Sequence, residues 1–159
     1  MDKTKIKEKI IAELQKQLDV LQHSVQDASE ESFQETNVPL SQVDHRSLEA
    51  SLFARAQSQR ADKALSVIEV LKNLPIKEFT ASDDIQTSAI VELEHSGRTD
   101  LYFLAPLGAG TIIEVEGREM EVITTNSPLG EELLDKRVDD DIWIESPKGV
   151  QEFKIKKVA

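Results

Sequence analysis

Between Lys3 and Ala28 the residues Ile11, Leu14, Leu18, Leu21, Val25 and Ala28 recur in steps of 3, 4, 3, 4 and 3. Ile6 and Ile10 extend the series toward the start. This spacing lays an apolar seam along one face of an α-helix. No Gly or Pro interrupts it, so one helix of about 26 residues is expected, roughly 39 Å long at 1.5 Å per residue.

A seam needs a partner, and the chain supplies one. Leu48, Leu52, Ala56, Ala64, Ile68, Leu71 and Leu74 form a second series, rich enough in alanine for close approach. Ser41-Gln42-Val43-Asp44 has the look of a capping start, and Pro75 ends the run. Between the two series, Ser29 to Pro39 loses the stripe and carries the only proline before Pro75, so a loop is expected there. Two helices joined by one loop make an antiparallel hairpin. A coiled-coil hairpin is expected over residues 1–76, with a polar linker over 77–85.

From residue 86 the period becomes two. Ala89–Glu94, Leu101–Leu104, Thr111–Glu116, Arg118–Thr124, Asp141–Glu145 and Gln151–Lys157 read as strands. Pro128 to Lys136 reads as a short helix, capped by Ser127 with Pro128 in its first position. Residues 86–159 are therefore expected to form a twisted antiparallel sheet carrying one short helix, and the whole chain an α+β protein.

Composition narrows the function classes. The net charge is −11, with 19 basic and 30 acidic residues. Bases nearly balance acids up to Pro75, and beyond it acids outnumber them about two to one. Such a chain is poorly suited to holding duplex nucleic acid by phosphate contacts alone. There is no cysteine, so disulfides, thiolate chemistry and Cys-type zinc sites are excluded. No apolar run is long enough to span a bilayer and the start lacks a secretory pattern, so a cytoplasmic protein with no membrane partner is expected. His23, His45 and His95 lie on different elements and suggest neither a metal cluster nor a triad. The glycines of Pro106-Leu107-Gly108-Ala109-Gly110 open a strand rather than a helix, so they do not form a phosphate loop.

Asp27, Glu30, Glu31, Glu35 and Asp44 gather around the loop between the helices, and no Lys or Arg lies between Lys16 and Arg46. Uncompensated carboxylates repel one another. They fit either a solvated loop or a site for a hard cation such as Mg²⁺.

A more specific signal follows. Ser127-Pro128-Leu129-Gly130, then Leu133, Leu134, Lys136 and Asp141, resembles the C-terminal motif of the Gre transcript-cleavage factors, with Asp135 and Asp140 where that family usually has glycine. Tyr102-Phe103-Leu104-Ala105-Pro106 with Gly108 and Gly110, and the stretch Arg46 to Ala54, resemble a divergent branch of Gre-like proteins. The resemblance covers both parts of the chain in the family's order. It implies an N-terminal coiled coil and a C-terminal domain of FKBP-like fold. It also implies a transcription elongation factor of RNA polymerase, with the family's link to DNA binding, acting on nascent RNA only indirectly and as a monomer.

In such factors the C-terminal domain docks on the polymerase. By resemblance the docking residues are Ser127, Pro128, Leu129, Gly130, Leu133 and Leu134. The coiled coil enters the secondary channel, and its acidic tip shares a Mg²⁺ with the polymerase active site for cleavage of backtracked RNA. The protein then brings no cofactor of its own, and the chemistry happens in the polymerase. Asp44 falls on the family's first tip acid and is the expected metal contact, with Glu31 and Glu35, or Glu30, as the helpers. Ser47 stands where the second acid belongs, and Glu49 is five residues on instead of three. A non-cleaving, anti-cleavage regulator of the same channel is the alternative. An FKBP-like prolyl isomerase or chaperone is a lesser one.

Overall fold

A computed structural model describes residues 2–33, 40–146 and 149–159 of the chain; the side chains of residues 24–33, 40–47, 50 and 146 lie outside that description. Two helices open the fold, α1 (Lys3–Phe33) and α2 (Leu40–Lys72). Six strands and one short helix follow: β1 (Ile90–His95), β2 (Arg98–Ala105), β3 (Ile112–Val115), β4 (Arg118–Thr124), α3 (Pro128–Leu133), β5 (Asp141–Ser146) and β6 (Gly149–Val158). No helix among the described residues is long and apolar enough to cross a membrane. The chain divides into two compact units. One comprises Met1–Glu13 with Glu69–Ala159, and the other Leu14–Ile68.

In the sheet unit the strand order is β3-β4-β2-β1-β6-β5. Two tight hairpins, through Ser96-Gly97 and Glu116-Gly117, place both central residues at positive φ. That is the geometry that matches the strand twist, and it favours glycine at the second position. The sheet is mixed, because β2 and β4 run parallel. This corrects the all-antiparallel expectation. A simple meander would set β3 beside β2. Instead β4 takes the inner place and β3 the edge. The reason lies in apolar content: β4 buries Met120, Val122 and Ile123, whereas the four-residue β3 buries only Ile113 and Val115 and leaves Ile112 exposed. The strand with more apolar surface gains more from having neighbours on both sides.

One sheet face carries the core of Val91, Leu93, Leu104, Ile123, Leu133, Ile142, Phe153 and Ile155. Ile85 and Phe79, from the stretch expected as a linker, pack into the same cluster. Ile85 exchanges backbone hydrogen bonds with the chain after α3, its N–H donating to Lys136 O at 2.8 Å and its C=O accepting from Asp135 N at 3.1 Å. Arg137 Nε closes on Asp84 Oδ1 at 2.6 Å. Residues 77–85 are thus tied to the sheet.

The first turns of α1 and the last of α2 belong to the sheet unit. Ile6, Ile10, Leu71 and Leu74 are buried there. Lys7 Nζ donates to Lys72 O and Leu74 O, each at 3.2 Å, and Lys9 Nζ to Glu114 O at 2.9 Å. The start of α1 therefore lies beside the end of α2, as an antiparallel pair requires. Lys3 is almost fully buried. Its ammonium donates to Lys77 O and sits 4.4 Å from the centre of the Phe79 ring. Burial pulls its pKa below the usual lysine value, and Glu78 opposes that shift.

The helical unit differs from expectation in two ways. α1 runs through Ser29 to Phe33, so Glu30 and Glu31 lie in helix rather than loop. The stripe ends at Ala28, but Ser29 to Phe33 holds neither Gly nor Pro, and nothing stops the backbone. In α2, Leu48 and Leu52 are 57% and 58% exposed, so they are not seam residues. The burial instead follows Gln57, Ala61, Ala64, Ile68 and Leu71, in steps of 4, 3, 4 and 3. Leu48 precedes Gln57 by nine residues, about two and a half turns, which puts it on the opposite side of the helix.

Candidate functional site

The Ser127–Leu134 motif forms α3 and its entry, and local chemistry dictates its shape. Ser127 is extended at φ −82°, ψ 153°. Its Oγ accepts from Gly130 N at 3.1 Å and donates to Thr124 O at 2.7 Å. One hydroxyl thus satisfies a free N–H of the helix start and ties the cap to the end of β4. Pro128 follows at a position where its lack of an N–H costs nothing. Glu131 N donates to Ser127 O at 2.8 Å, and Leu134 N to Gly130 O at 3.2 Å. Asp135 then leaves the helix at φ 60°.

Gly130 is required by contact. A Cβ built on it would lie 1.9 Å from Thr124 O and 2.8 Å from Thr124 C. Thr124 is backbone at the end of a central strand and has little room to retreat. Leu133 is fully buried in the core, and Leu129 and Leu134 are half-buried against it. Five of the six residues expected to dock therefore fasten α3 to the sheet. Of the six, Pro128 is the exposed one.

The parallel pairing of β2 and β4 brings two sequence motifs together. Ala105 at the end of β2 is paired with Thr124 at the end of β4. Thr125 N donates to Ala105 O at 3.2 Å. The Pro106–Gly110 turn and the Asn126–Leu129 segment hence leave from adjacent strand ends. Gly110 N donates to Val122 O at 2.9 Å, and Val122 N to Thr111 O at 2.8 Å, which folds the glycine turn back onto β4. Leu107 and Pro128 are exposed on these segments, with Asn126 exposed beside them and Leu129 partly so. Had β4 run antiparallel to β2, the two motifs would sit at opposite ends of the sheet. Sequence reading found both and missed their adjacency.

Two charged groups before β1 and after α3 are held by hydrogen bonds. Asp83 accepts from the backbone N–H and hydroxyl of Thr80 at 2.7 and 2.8 Å, and these bonds hold its pKa below the ordinary carboxylate value. Arg137 has its pKa raised, first by its hydrogen bond to Asp84 and then by the charge of the same carboxylate. Among the histidines, His95 stacks on Phe153 at 4.7 Å and its Nδ1 meets Glu152 O at 2.7 Å, a structural role.

The tip residues fall largely outside the description. Glu35 lies outside the described residues. Glu30 and Glu31 fall in α1 and Asp44 and Ser47 in α2, and their side chains lie outside it too. Among the described residues no cluster of three or more His, Asp or Glu is arranged to hold a metal.

A mixed six-stranded sheet thus carries a serine-capped helix seated on a strand end through glycine, with a glycine turn at the same end. Residues 81–159 match the family described as transcription elongation factor, GreA/GreB, C-terminal, and this part of the chain is a domain of that family. Among solved structures it is similar to GreA factor homolog 1 (Gfh1) of Thermus thermophilus, at 22% identity over 94% of each chain and a TM-score of 0.39. It is also similar to Gfh1 of Thermus aquaticus, at 24% identity over 91% of this chain and 90% of that one, with a TM-score of 0.40. A prokaryotic GreA/GreB factor from Nitrosomonas europaea shares 19% identity over 60% of this chain and 78% of its own, with a TM-score of 0.37. Likeness at this level carries no functional argument. No curated protein matches the chain.

Proposed function

We propose that this protein binds RNA polymerase as an elongation factor, docking through its C-terminal domain and placing the α1–α2 hairpin in the secondary channel. The observation that supports this reading is the GreA/GreB C-terminal domain itself, with both of its motifs on one exposed end of the β2–β4 pair. Leu107, Pro128 and Leu129 offer apolar surface there, which suits a protein partner. Ser127, Gly130, Leu133 and Leu134 hold that surface in place.

In this reading Asp44, with Glu30, Glu31 or Glu35, faces the Mg²⁺ of the polymerase active site, since hard cations take carboxylate oxygens. Such a metal would supply activated water for RNA hydrolysis. Ser47 at the second acid position favours a variant of the reading, in which the protein occupies the channel without promoting cleavage. A hydroxyl is a weaker ligand for Mg²⁺ than a carboxylate.

Two assays test these statements in turn. Purified protein mixed with core polymerase should form a saturable complex, and failure to do so rejects the proposal. On stalled elongation complexes, RNA shortening that Asp44→Ala abolishes supports the cleavage form. Inhibition of the polymerase's own cleavage supports the non-cleaving one.

A further inference from the structure

Among the described strands β5 is terminal, with β6 as its one hydrogen-bonded neighbour. Half of its main-chain N–H and C=O groups face outward, as on any edge strand. On this edge the chain places its only tryptophan, and Trp143 is 56% exposed. Ile142 and Ile144 belong to the core under α3, so Trp143 points to the opposite face of the sheet. Val150, 66% exposed, is its diagonal neighbour on β6, because Glu145 is paired with Val150 and Trp143 with Glu152. Folding gains little from a tryptophan left in water. Aromatic side chains in such places are enriched where another protein is met.

The charges around it say what kind of partner fits. Asp141 and Glu145 flank Trp143 on its own strand, and Glu152 lies directly across. Lys154, opposite Asp141, is the one base in this group. A second copy of β5 laid antiparallel and centred on Trp143 would set Asp141 against Glu145, and like charges in register repel. The edge is thus protected against self-pairing and suited to a cationic strand.

We infer that the free edge of β5 docks an extended, basic peptide segment of a partner protein. The segment adds a seventh strand through its main chain. Its Lys or Arg side chains meet Asp141, Glu145 and Glu152, and one side chain packs on Trp143. This site lies on the sheet face opposite α3 and does not depend on the polymerase reading.

Trp143 is its own reporter. The full chain is titrated with a blocked hexapeptide alternating Lys or Arg with Val, and tryptophan emission is followed. The expected result is a saturable change, absent with a Glu–Val peptide of equal length. Methylating every backbone nitrogen of the basic peptide keeps the charge and removes the ladder's donors, and should abolish binding. The double change Asp141→Lys and Glu145→Lys, both exposed, should weaken binding about tenfold, roughly 1.4 kcal/mol. No saturable change with the basic peptide, or equal binding of the N-methylated peptide, overturns the proposal. So does indifference to the charge reversal in a variant whose circular dichroism is unchanged. Should that variant not fold, the peptide comparison on the unaltered chain still decides.

Discussion

The sheet unit and the helical unit are built on opposite plans. In the sheet unit several independent signals fix each element. α3 has a hydroxyl cap, a proline in its first turn, a glycine seated against Thr124 and a fully buried Leu133. In the helical unit a single signal, the apolar stripe, fixes the pairing, and the stripe includes a misfit. Gln57 is 8% exposed, and its Oε1 has no hydrogen-bond partner among the described residues. Redundant signals give a structure intolerant of change, whereas a thin seam gives one that can be improved.

Substitutions should reveal that contrast, beginning with the largest effect. Gly130→Ala forces a methyl into Thr124 O and should cost about 3 kcal/mol, at the upper end for overpacking, read from the urea midpoint. A cost below about 1 kcal/mol would mean that α3 can slide on the sheet. Gln57→Leu should act in the other direction. It removes a buried unsatisfied oxygen from the helical seam and should raise stability by about 1–2 kcal/mol, seen as a later thermal transition. Ser127→Ala loses the cap and the tie to Thr124, for about 1 kcal/mol by denaturant titration. Last, Leu48→Ser with Leu52→Ser should change stability by no more than about 0.5 kcal/mol per site. A loss of several kcal/mol would restore these leucines to the seam.

What the sequence disclosed follows the same division. The change of period near residue 86, the strand runs that follow it and the Ser127-Pro128 helix start were all legible, because each is fixed by neighbours in the chain. The place of β4 between β3 and β2 was not. It depends on a competition for the sheet interior that no local pattern records, and the adjacency of the Pro106–Gly110 and Ser127–Gly130 segments depends on it in turn. The reason for Gly130 was hidden likewise, since the atom it avoids belongs to Thr124. In α2 the stripe was visible but its phase was not. Leu48 and Leu52 are more apolar than Gln57, and burial followed the helical repeat instead of the hydrophobicity.

The central claim is that the exposed end of the β2–β4 pair meets RNA polymerase, and it is tested most directly by equilibrium binding of the full chain to core enzyme. Leu107→Asp with Pro128→Asp alters two exposed side chains, and aspartate is well tolerated in a first helical turn. The account predicts saturable binding by the unaltered protein. It also predicts a loss of about tenfold or more for the double variant at an unchanged melting temperature. Equal binding by a folded double variant, or no binding by the unaltered chain, would contradict it.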